Sequence, residues 1–260
     1  MFRCRHEMPS HFSTIGFTIE SQEELVALAE RAVVVAEPVL TTSGRYLRYR
    51  SGGGEELWIQ EDAGGGLIGI NPHFTGRSSL RLGLAKAVRR ETDTALDGAF
   101  YGHVGPDVGD PESGLCPLVF DCPDFGAASR LALPAIVTAQ VAAFAHEINV
   151  YPSVAAFDAA QAAEKVRLAS MSFLPTGLFA PDMTKRDPPD AFAVLTGHVT
   201  ATAEKRNPVT EQRYYWALVE SLGGSYDVVM DPRLVEDPPR KGGVVSGTVW
   251  LSGRIVARPN

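Results

Sequence analysis

Near the end of the chain, Trp250 and Arg254 stand four residues apart in GGVVSGTVWLSGRIV, residues 242–256. Period-two alternation puts Val245, Val249, Leu251 and Ile255 on one face and Ser246, Thr248, Trp250, Ser252 and Arg254 on the other. The first face reads as core. The second sets an indole and a guanidinium among small hydroxyls, the composition of a stacking surface for a base, a sugar or a peptide. Tyr214 and Trp216 on the preceding hairpin extend that surface, with Lys205 and Arg206 in the loop EKRN. An outward Trp of this kind also serves as packing against a neighbouring domain.

The remaining reactive side chains form no catalytic constellation. His73, in INPHF, is a loop histidine beside proline, a place for an acid or base near neutral pH, but no motif ties a carboxylate or nucleophile to it. His146 and Glu147 make the pair HE without the second histidine at i+4 that a metalloprotease helix needs. No GxSxG elbow, phosphate loop or GxGxxG follows a strand; SGGGE and AGGGL lack both a lysine and a following helix and read as turns. Cys116 and Cys122 flank LVF at a spacing that suits no common zinc site, and they read as small buried apolar groups.

Composition bounds the partners. The 260 residues carry a net charge of −7, and 45% are apolar, enough for a proper core. From Ala191 onward there are eight basic and seven acidic residues, so 1–190 carry −8. Nucleic acid, whose non-specific affinity rests on clustered cations, is therefore an unfavoured partner. Three cysteines, the absence of an apolar leader in MFRCRHEMPS and the lack of a run long enough to span a bilayer point to a cytoplasmic protein with no membrane partner. Strand-like patterning begins only after Met8, so residues 1–7 read as an extension that carries no function.

These side chains must be positioned by an α+β chain. A strand is expected over 12–19, then a helix from about 22 to 35 behind the capping box of Ser21 and Glu24, then strands over 45–50, 56–60 and 67–70 separated by glycine clusters, a βαβββ order. Strands over 79–88, 99–104 and 118–121, a long one over 136–151 and an alanine-rich helix after Ser153 follow. FTIESQEELVALA and INVYPSVAAFDAAQ both run from strand through serine to helix, which suggests two related modules. The expected division is an acidic α+β domain over 8–173, a proline-rich linker over 174–190 and a small antiparallel β-barrel over 191–260, with strands over 192–202, 214–222, 225–230 and 244–255.

The C-terminal pattern, short strands opening with Gly197-His198-Val199 and closing on a long glycine-punctuated strand, resembles the OB-fold barrel over 191–256. The combination of SHFSTIGF, TGHVTATAEKRNPVT, GGSYDVVMDP and GTVWLSGRI resembles a bacterial family with no assigned activity, and brings no catalytic residues with it. The βαβββ order with a histidine before the first strand is similar to the vicinal-oxygen-chelate superfamily. That resemblance implies a divalent metal held by His11 with Glu56 or Gln60, and a metal-dependent enzyme. The leading expectation is a cytosolic binding or interaction protein for an unidentified protein or small ligand. It needs no cofactor, and its surface is Trp250, Arg254, Tyr214 and Trp216; single-strand nucleic-acid binding is the further alternative.

Overall fold

The computed structural model describes residues 10–162, 164–178 and 188–257; residues 1–9, with Cys4 and His6, and 179–187 of the expected linker lie outside it. Helix α1 (Gln22–Val33) begins as expected at Ser21, whose Oγ accepts from the Glu24 N–H at 3.2 Å, while Glu24 reaches back to the Glu20 N–H. Leu28, Ala29 and Ala32 form its buried stripe.

The strand expected over 12–19 is not formed, which corrects the βαβββ order. Ser13–Ile15 make a 3₁₀ turn closed by Gly16 in the left-handed region at φ 78°. Its cause is local: the Ser13 and Thr14 hydroxyls donate to the carbonyls of Ser10 and His11, which competes with any ladder.

After α1 come four antiparallel strands in chain order, β1 (Glu37–Leu40), β2 (Arg45–Arg50), β3 (Glu55–Glu61) and β4 (Leu67–Phe74). The larger sheet holds β5 (Leu80–Val88), β6 (Ala99–Val104), β7 (Cys116–Asp121), β8 (Ala135–Tyr151), β9 (Ser172–Leu174), β10 (Phe192–Arg206), β11 (Arg213–Ser221), β12 (Gly224–Met230) and β13 (Val244–Ala257). Short α2 (Phe125–Ala128) precedes β8. Helix α3 (Val154–Gln161) follows it, capped by Ser153. The fold is mostly sheet with few helices, consistent with the α+β class. No helix among the described residues is long and apolar enough to cross a membrane.

The larger sheet closes on itself twice. One ring runs β10, β11, β12, β8, β13 and back to β10; the other runs β5, β6, β7, β13, β8 and back to β5. The strands after Ala191 thus close only through β8, which precedes them in the chain. Two contacts are parallel, β12 with β8 and β7 with β13.

This connectivity repeats: a three-strand meander followed by a long strand occurs as β5–β8 and again as β10–β13. The registers show a two-fold relation. One row of paired residues crosses eight strands as Val88, Ala99, Asp121, Ser252, Ala142, Asp227, Leu218 and Ala201. Its centre is the Ser252–Ala142 pair, and on either side stands an aspartate, Asp121 on β7 and Asp227 on β12.

Apolar residues fill both faces. Inside the rings lie Leu80, Leu82, Phe100, Phe120, Val137, Leu195 and Val228, together with Val245, Val249 and Leu251 of β13, with Ile255 packed at the margin. Between the rings and the smaller sheet lie Leu57, Ile59, Phe74, Phe144, Trp216 and Trp250, closed over by Leu28 of α1 and by Ile15 and Phe17. The two aspartates of the row belong to this second, inter-sheet layer.

Candidate functional site

An aspartate in an apolar layer must have its lone pairs met, and Asp227, fully buried, has all of them met. Its Oδ1 accepts from the Trp216 indole N–H at 2.8 Å and the Arg77 backbone N–H at 2.9 Å. Its Oδ2 accepts from the Ser78 backbone N–H at 2.8 Å and the Gln140 amide at 2.9 Å. Gly76 leaves the room for this, since a Cβ there would stand 2.1 Å from the carboxyl group. Gly76→Ala is expected to lower stability by about 2 kcal/mol, the cost of overpacking a filled site. Chemical denaturation measures it, and an unchanged midpoint would show that the carboxylate has room to move.

The Gln140 amide fixes the next link. Its Nε2 donates to Asp227 and to the Phe74 carbonyl at 3.0 Å, so its Oε1 is the atom that faces His73 Nε2 at 2.9 Å. His73 therefore carries its proton on Nε2, and the bare Nδ1 accepts from the Ser252 hydroxyl at 2.9 Å. A continuous chain, Trp216–Asp227–Gln140–His73–Ser252, ties β11, β12, β8, β4 and β13 together. Burial holds the His73 pKa down, to about 4.

Asp121 differs because it stands at an opening. Its Oδ2 accepts from the Trp250 indole at 2.6 Å and its Oδ1 from Arg90 at 2.7 Å. Burial raises its pKa, with the Arg90 guanidinium opposing. A cleft of about 230 Å³ opens here, lined by Asn71, Arg90, Asp97, Asp121, Trp250 and Ser252 among others. Asp97 is positioned by Gln60 at 2.5 Å, Asn71 at 2.7 Å and the Thr94 backbone N–H. Arg90 also donates to the Pro189 carbonyl and pairs with Asp190. The carboxylates of Asp97 and Asp121, a guanidinium, a carboxamide and an indole edge thus face one small space.

Of the residues singled out in the sequence, Trp250 lines this cleft. His11 stacks on its ring at 4.1 Å and 5°, and Phe144 meets it at a tilt, 5.0 Å away. Arg254 does not share the opening: it pairs with Asp124 and lies over the ring of Trp58. Tyr214 is in the interior, against Phe74 and bonded to Glu55. Trp216, 5% exposed, borders a second cleft on the other side of the row.

His11, Glu56 and Gln60 are each engaged by different partners. His11 Nε2 lies 2.7 Å from His146 Nε2, and burial, with the neighbouring His146, lowers its pKa to about 3. Glu56 accepts from Arg48, Trp58 and Thr75; Gln60 donates to Asp97 and accepts from Thr94. Among the described residues no three His, Cys, Asp or Glu side chains gather in a way that would hold a metal ion. Cys116 and Cys122 are buried free thiols.

Asp121, Asp227, Asp97, Gln140 and Arg90 were not found from the sequence. The signal for two of them is there: LVFD and YDVVMD each place an acid within an otherwise apolar strand, which requires a buried partner. Comparison with protein-family models, curated proteins and solved structures finds no match.

Proposed function

We propose that the chain is a binding protein rather than a catalyst, and that it takes a small, hydroxyl-rich ligand in the cleft bounded by Asp121, Trp250, Arg90 and Asp97. The carrying observation is the convergence of these four side chains, from three separate stretches of chain, on one space of about 230 Å³. Two carboxylates with lone pairs to spare suit hydroxyl donors. Asp121 accepts one bond on each oxygen and Asp97 three in all, against about four that a carboxylate can take. Asn71 and Arg90 supply the opposite polarity, and the indole edge supplies an apolar wall.

The ring of β10, β11, β12, β8 and β13 is read here as the small OB-like barrel, completed by a strand from earlier in the chain. The free, buried thiols suit a cytosolic setting. A net charge of −7 makes single-stranded nucleic acid the weaker partner.

Calorimetric titration with neutral polyols, glucose, myo-inositol and sorbitol among them, tests the reading. Saturable binding is expected for at least one, and Asp121→Asn, which keeps an acceptor for Trp250 but gives up the charge, is expected to weaken it about tenfold or more. Absence of saturation with every polyol, or affinity unchanged in Asp121→Asn, would refute it. Stoichiometric zinc or iron in protein purified without chelator would favour the metal-enzyme reading instead.

A further inference from the structure

The two-fold relation that links Asp121 to Asp227 also links the openings beside them. Counting two residues back from Ala99 and from Leu218 in the shared row gives Asp97 and Trp216. Counting four forward from Val88 and from Ala201 gives Thr92 and Lys205. Asp97 and Thr92 line the first cleft; Trp216 and Lys205 line the second, about 280 Å³, with Phe74, Gly76, Arg77 and Ala203 among its walls. The same place in each half of the fold is therefore hollow, but its chemistry is inverted. An acid has become an aromatic ring, and a threonine has become a cation.

The charges follow. Among the described residues no carboxylate lines the second cleft. Arg77 lies over the Trp216 ring at 5.1 Å and Lys205 at 6.0 Å, and Lys205 also lies over Phe74 at 5.6 Å. The Lys205 ammonium donates to the Gly53 carbonyl at 2.7 Å, and neither cation makes an ion pair among the described residues. Three buried acids lie behind the wall, and all are occupied from within: Glu56 accepts from Thr75 of the wall, from Trp58 and from Arg48. Asp227 holds its four N–H donors, and Glu55 accepts from Tyr214 and Ser51.

We propose that Arg77, Lys205 and Trp216 form a second binding site, for a small organic molecule bearing a phosphate group. Two positive charges at one mouth match the charge of a phosphate monoester near neutral pH, and the guanidinium offers paired donors to its oxygens. Phe74, Ala203 and the Trp216 ring give an apolar wall for the body of the ligand. This proposal is independent of the polyol reading: it concerns the other cleft and another ligand.

Inorganic phosphate is the probe, titrated calorimetrically at low ionic strength and pH 7.5. Expected is saturable one-to-one binding that weakens as sodium chloride is added, and that falls about tenfold or more in Arg77→Gln and in Lys205→Gln. Arg206→Gln, an exposed charge next to Lys205 at the end of β10 but outside the cleft, is expected to bind as the wild type does. Arg77 is exposed and fixes nothing else through its side chain, so its variant keeps the test valid should Lys205→Gln perturb the fold. A lack of saturable binding would overturn the proposal. Equal affinity in the Arg77→Gln, Lys205→Gln double variant would overturn it too, as would an equal loss in Arg206→Gln, which would reduce the effect to overall charge.

Discussion

Asp227→Ala is expected to destabilise the protein by about 4 kcal/mol or more. The substitution removes one acceptor group and orphans four N–H donors at once: the Trp216 indole, the Gln140 amide and the backbone groups of Arg77 and Ser78. Each unsatisfied buried donor costs on the order of 1–3 kcal/mol, and the closed surroundings limit how far water can replace the carboxylate. Leaving uncompensated polar groups at a fully buried acid belongs to the small class of substitutions with large effects. Urea unfolding measures the change. Asp121→Asn serves as the contrast, because Asp121 lines an open cleft where water can take the place of what is lost. A cost below about 1 kcal/mol for Asp227→Ala would show that the four donors find other acceptors.

Acidification is expected to be the second large effect. His73 takes up a proton near its ordinary value of 6.5 in the unfolded chain, but only near about 4 in the folded one. Between these values the unfolded state binds the extra proton. Stability is therefore complete above pH 6.5 and is lost progressively as the pH falls toward 4, by about 3 kcal/mol in all. His11, also held low by burial, contributes in the same direction over a window that reaches lower. The His73 share is isolated by subtraction: His73→Gln, less stable at neutral pH, is expected to show a shallower decline between pH 6.5 and 4 than the wild type. Equal slopes in the two proteins would assign the acid sensitivity elsewhere.

What the sequence disclosed follows from how far each signal reaches along the chain. The long strands declared themselves by alternation, and the capping box at Ser21 located α1 within a residue or two. Residues 12–19, rich in β-formers, deceived because two hydroxyls and Gly16 decide that segment locally in favour of a turn. Strand β1 escaped notice because Pro38 stands in it, which an edge strand tolerates.

The row through Asp121, Ser252, Ala142 and Asp227 could not be read. Its members belong to strands that pair across 85 to 131 residues, and nothing at Ala142 or Ser252 announces a centre of symmetry. Trp250 and Trp216 were singled out for their rings, yet their indole N–H groups bind them to these aspartates. Trp58 does the same with Glu56, so all three indoles of the chain end on a carboxylate.

That circumstance gives the most direct measurement of where ligand binds. The three indole N–H groups give three ¹H–¹⁵N resonances, and Trp250→Phe assigns the one belonging to the first cleft. Titration with a polyol that binds is expected to move the Trp250 resonance progressively to saturation, because its N–H shares Asp121 with the incoming hydroxyls, while Trp58 and Trp216 stay in place. A polyol that saturates the protein and leaves the Trp250 resonance unmoved would contradict binding at the Asp121–Trp250 cleft.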